Sequence, residues 1–91
     1  MSENQKPKTT IKVLFFSVLQ DAAGGEKEIE WPLVSDSMTV AELIRDFYNR
    51  WPGLEAWDSQ IRVAVDLAYV DREHVIRAGQ EIALMPPVQG G

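Results

Sequence analysis

Ninety-one residues, 45% apolar and 25% charged, suffice for one small domain with a single core, and apolar runs no longer than Val13–Phe16 fall far short of the ~20 residues of a membrane-spanning helix. Nine basic against fourteen acidic residues give a net charge of −5 without a basic run, which argues against nucleic acid or anionic membrane as partners and suits a basic patch on a protein. No cysteine is present and His74 is the single histidine, so disulfides, iron–sulfur ligation, thiolate metal sites and thiol chemistry are excluded.

The polar lead Met1–Thr10 carries Lys6 and Lys8 but no apolar segment before a cleavage site. It is expected to be a flexible extension, not a secretory signal, and the protein to be cytoplasmic. Ile11–Leu19 is rich in β-branched and aromatic residues and predicts a first strand. Ile11, Val13 and Phe15 share one face, and Leu14, Phe16 and Val18 the other. With both faces apolar, the strand is either covered on two sides or holds one side ready for a partner. Gln20–Gly25 reads as a helical turn or loop ended by Gly24-Gly25. Glu26–Trp31 alternates polar and apolar residues, which predicts an edge-like strand stopped by Pro32.

Thr39-x-x-Glu42 is a capping box, flanked by Met38 and Leu43 as a hydrophobic staple. Val40, Leu43, Ile44, Phe47 and Trp51 follow at helical spacing, and Pro52-Gly53 ends the helix near Arg50 or Trp51. Leu54–Asp58 reads as a short turn or single helical turn, Gln60–Asp66 as a third strand, Ala68–Val70 as a brief fourth. Arg77–Gln80 is a turn, and Glu81–Met85 is the last strand, closed by Pro86. Trp31, Trp51 and Trp57 read as packing residues and His74 as a surface loop residue.

Strand, strand, helix, strand, short strand, strand is the order of an α+β β-grasp (ubiquitin-like) fold, with one helix packed across a mixed sheet. Its first and last strands pair in parallel at the centre, as the long helix-containing crossover allows. The domain is expected over residues 11–86 and an extended tail over 87–91. Pro86-Pro87 favours a polyproline-like exit from the final strand. Gly90-Gly91 puts a carboxylate on a thread without side chains, able to enter a narrow cleft backbone first. Two glycines at the end arise by chance in roughly one chain in 200. No side-chain cluster offers an active site, so any chemistry is expected at the carboxylate of Gly91.

Ile11-Lys12-Val13-Leu14-Phe15-Phe16, Ala64-Val65-Asp66-x-x-Tyr69-Val70 and Gly79-x-Glu81-Ile82-Ala83-x-x-Pro86-Pro87-Val88-x-Gly90-Gly91 resemble the small, sulfur-carrier subunit of molybdopterin synthase, a ubiquitin-like family. The resemblance covers the chain after about residue 10, and Pro-Pro-Val-x-Gly-Gly is its most specific part. Two positions depart from the pattern: Asp66 stands where asparagine is frequent, and Gln80 where aspartate is frequent.

The resemblance implies a sulfur carrier that is not itself catalytic and binds no cofactor. The Gly91 carboxylate would be activated with ATP by a separate adenylating enzyme, then thiocarboxylated with sulfur from a donor protein. The tail, Pro86, Pro87, Val88, Gln89 and Gly90 with Gly91, would insert into the large subunit of the synthase. That subunit supplies the catalytic pocket, where cyclic pyranopterin monophosphate receives the sulfur during molybdenum cofactor biosynthesis. Phe16, Tyr69 and Met85 are implied as partner contacts, with Leu14 beside them. Rival readings are a sulfur carrier for thiamine, cysteine or tRNA thiolation, a protein modifier joined through Gly91, and a plain interaction domain.

Overall fold

In the computed structural model, which describes residues 9–87, the first strand β1 (Thr10–Phe15) stops short of the end of its apolar run. The inward series Ile11, Val13, Phe15 would next place Ser17 in the core, and a polar residue there halts the strand. Ser17 takes φ 59° and ψ −134°, and the Leu19 N–H donates to the Phe16 carbonyl at 3.1 Å. This is the geometry of a type II′ turn. The chain enters a short helix, α1 (Val18–Ala22), and Leu19 reaches the core from there instead of from a strand.

β2 (Glu28–Pro32) pairs antiparallel with β1, Thr10 opposite Pro32, and forms one sheet edge, where a proline is tolerated. β3 (Ser37–Thr39) leads directly into α2 (Val40–Arg50). The capping box forms as its sequence predicts: the Glu42 N–H donates to Thr39 Oγ1 at 3.1 Å and the Thr39 N–H to Glu42 Oε1 at 2.8 Å. Val40, Leu43, Ile44 and Phe47 are buried along one stripe, and Trp51 caps the helix while packing against the core. A 3₁₀ segment, Pro52–Gln60, stands where a short turn or single helical turn is expected at Leu54–Asp58, and extends it on both sides. It shortens the next strand, β4, to Arg62–Val65.

β5 (Ala68–Val70), β6 (Val75–Arg77) and β7 (Glu81–Met85) are the last elements among the described residues. The main sheet has the order β2-β1-β7-β4-β5, with β1 and β7 parallel at its centre and the other pairs antiparallel. β3 and β6 form a separate antiparallel ribbon that the sequence does not announce. Three residues give one alternation, too little to register as a pattern.

The core lies between α2 and one face of the sheet, with Val13, Phe15, Phe47, Ile82 and Leu84 essentially sealed from solvent. Trp31 and Phe15 both meet the Phe47 ring edge-on, at centroid distances of 4.9 and 5.6 Å. Trp57 packs against the same core, so all three tryptophans serve packing. Among the described residues no helix is long and apolar enough to cross a membrane. The expected extension, apart from Thr9 and Thr10, and the tail residues Val88, Gln89, Gly90 and Gly91 lie outside the described residues.

Candidate docking groove at the root of the tail

The sheet register builds a site on the face opposite the core. Leu14 lies beside Ala83, Ala83 beside Ala64, and Ala64 beside Tyr69, one row across four strands. Successive residues of a strand alternate between faces, so Val13, Ile82 and Val65 enter the core while this row faces away. The two alanines set a floor between the taller Leu14 and Tyr69. The result is an apolar groove of about 250 Å³ whose lining is completed by Phe16, Leu67, Met85 and Glu81. Phe16 is 42% exposed and Tyr69 67%, unusual for large apolar side chains on one continuous surface. Phe16, Tyr69 and Met85, distant in sequence, thus line a single groove, and half-buried Leu14 joins them.

Leu67 has no counterpart in the sequence-derived set. It is 92% exposed and shares with Asp66 a two-residue turn in which both have positive φ, 49° and 74°. Val65 pairs with Ala68 across this turn, the arrangement of a type I′ hairpin. A single leucine in a turn carries no periodicity. The available signal was a two-residue hairpin without glycine between alternating runs.

The turn is anchored from outside. Asp66 Oδ1 accepts the Glu81 N–H at 3.0 Å, and Oδ2 accepts from Gln80 Nε2 at 3.1 Å. Gln80 Oε1 in turn accepts the Arg77 N–H at 2.8 Å. The Asp66 N–H donates to the Glu81 carbonyl at 2.8 Å. The two positions that depart from the family pattern therefore bond to each other.

At the other end of the groove, the Phe16 N–H donates to the Leu84 carbonyl at 3.1 Å, tying β1 to β7 up to the II′ turn. The next residues of the last strand, Pro86 and Pro87, line a notch of about 140 Å³ with Ser17, Val18 and Trp57. The root of the tail is thereby placed against the body of the domain. His74 is exposed in a loop, its N–H donating to the Asp71 carbonyl at 3.2 Å. Among the described residues no cluster of histidine, aspartate and glutamate could hold a metal ion.

The charged groups with displaced protonation equilibria belong to a separate tie. The Tyr48 hydroxyl donates to Asp58 Oδ1, and Arg72 donates both to that oxygen (3.2 Å) and to the Asp58 carbonyl (2.7 Å). The Tyr48 and Arg72 hydrogen bonds hold the Asp58 carboxyl below the usual carboxylate range. Burial, then the bond to Asp58 and its charge, push the Tyr48 hydroxyl well above the usual phenol range. This tie joins α2, the 3₁₀ segment and the β5–β6 connection.

The sulfur carrier subunit of molybdopterin synthase from Homo sapiens is 32% identical over 88 residues, spanning 93% of this chain and 98% of that protein. The crystal structure of SAMP1 from Haloferax volcanii superposes with a TM-score of 0.74 at 26% identity, covering 90% of this chain and 99% of that one. In a complex of subunits 1 and 2 of the molybdopterin-converting factor from Helicobacter pylori, the similar chain gives a TM-score of 0.63 at 24% identity, with 90% and 99% covered. Residues 13–91 match the ThiS family, and on that match, the human relative and the β-grasp topology the chain belongs to the ThiS family and resembles its molybdopterin synthase sulfur carrier subunits over nearly its whole length.

Proposed function

We propose that this chain carries sulfur on its C-terminal carboxylate and delivers it within molybdopterin synthase. The observation that carries the proposal is the position of the apolar groove, which ends at Phe16 and Met85, beside the residues from which the tail departs. A partner seated on the groove holds the body of the domain. Pro86–Gly91, six residues, then reach at most about 20 Å into it. Glycine at the last two positions lets the thread pass where a side chain would jam.

The carboxylate of Gly91, with an ordinary pKa of about 3.5, is ionised at neutral pH and nucleophilic. Its oxygen attacks the α-phosphate of ATP in the adenylating enzyme, and pyrophosphate leaves. Sulfide-level sulfur (HS⁻) released by a donor protein then attacks the acyl carbon and displaces AMP, giving the thiocarboxylate. The large subunit takes the tail, and the sulfur passes to cyclic pyranopterin monophosphate. Two similarities support this reading: the human relative is a molybdopterin synthase sulfur carrier, and the Helicobacter pylori relative is named as part of a complex with a subunit 2.

The test is the intact mass of the protein after incubation with adenylating enzyme, ATP and sulfur donor. The wild type should gain the difference between one oxygen and one sulfur, mapped to Gly91. A variant lacking Gly90-Gly91 should gain nothing and unfold at the wild-type temperature. Loading of the truncated chain would overturn the proposal. The likeness to SAMP1, a small archaeal modifier protein, favours a second reading, a modifier joined to lysines through Gly91. That activity would leave higher-mass conjugates and no thiocarboxylate.

A further inference from the structure

Leu67 combines three properties that no core requirement explains. It sits at φ 74° as the second residue of a I′ turn, where glycine is favoured and a bulky side chain is strained. It is 92% exposed, so packing returns almost nothing for that strain. It also lines the apolar groove next to Glu81. The hydrogen bonds from Glu81 and Gln80 to the Asp66 carboxylate pin the turn in this conformation. Strain held in place by surrounding bonds, at the rim of a binding surface, is the pattern of a functional position.

Arg62 opposite Met85 and Val65 opposite Ile82 put the turn at the start of β7, the end away from Pro86. The five residues of β7 separate the two ends by roughly 15 Å. We infer that Leu67 is a specificity-determining contact of the docking face, seated in an apolar depression on the large subunit of molybdopterin synthase. This rests on the sulfur-carrier reading above. Continuity supports this occupant: a large subunit that takes the tail beyond Pro86 would lie over Phe16 and Met85, and the same groove runs from there to Leu67. One anchor at the tail leaves the domain free to rotate about it, and a second contact at the far end fixes the orientation. Glu81 and Asp66 beside Leu67 suit a basic rim around the partner's depression.

The test pairs two measurements on the full chain with Leu67→Gly, which creates Asp-Gly, a favoured I′ sequence. The thermal midpoint of the free protein should rise by a few degrees, while its Kd for the large subunit of the same organism weakens about tenfold or more, as loss of one buried leucine side chain requires. Leu67→Met, of similar volume, should bind within a few-fold of wild type. An unchanged Kd for Leu67→Gly would overturn the inference. So would a lowered thermal midpoint, because a weaker Kd would then report a damaged turn. If the wild type itself failed to bind the large subunit, the sulfur-carrier reading would fall, an outcome distinct from binding that ignores Leu67.

Discussion

Gly24 and Leu67 have nearly the same positive φ, 71° and 74°, for opposite reasons. Glycine suits position 24 because φ 71° strains any other residue and a Cβ there would press on the Trp51 side chain, 3.0 Å from Nε1 and 3.3 Å from Cδ1. Gly24→Ala adds a conformational penalty to that contact, and should lower stability by about 1–2 kcal/mol in urea unfolding. Leu67, in open solvent, meets no such contact. Asp66 and Gln80 show a third case. The pattern this chain resembles frequently has an amide and an acid there; this chain has an acid and an amide, hydrogen-bonded to each other. Read along the chain they are two unrelated departures, because fourteen positions separate them. The fold turns them into one exchange.

Among the elements, α2 was fully legible. A reciprocal cap at Thr39 and Glu42 and a stripe of buried residues are local features that no tertiary contact has to create. Thr39→Ala should destabilise the protein by about 1 kcal/mol, with the loss restored by Thr39→Ser, as read from denaturant midpoints. The Ile11–Leu19 run was legible as strand only up to Phe15. Its composition continues to favour β-structure, but Ser17 breaks the inward alternation, and burial of Leu19 wins over local propensity. The β3–β6 ribbon was illegible because each strand is three residues long and the pairing is non-local. The groove was partly legible. Apolar residues on both faces of β1 pointed to a free surface, whereas the alanine floor depends on a register that only the assembled sheet defines.

At the scale of the whole molecule, the Tyr48–Asp58–Arg72 tie joins three segments that the main sheet leaves to themselves. Because the Asp58 pKa is lowered on folding, its contribution is present above the ordinary carboxylate value of about 3.9 and disappears as pH falls through the lower folded value. The raised Tyr48 pKa acts in the other direction. Its contribution is complete below the ordinary phenol value of about 10 and fades as pH rises beyond it. Asp58 is half exposed, so solvent screening keeps the effect small. Asp58→Asn should cost about 0.5–1 kcal/mol at neutral pH, and the difference from wild type should shrink in urea titrations as pH falls through the lowered folded value. The overall topology was legible from element order alone, since few folds place one helix between two strand pairs and close with a central strand.

The parallel pairing of β1 with β7, flanked on the other side by β4, also sets how the domain bears load. A pull on the tail runs along the axis of β7, across the direction of its hydrogen bonds to both neighbours. The two ladders resist together in shear, where a strand at the edge of the sheet would have only one. If the chain carries sulfur as proposed, a tail withdrawn from one enzyme to enter another would take the domain with it as a rigid handle.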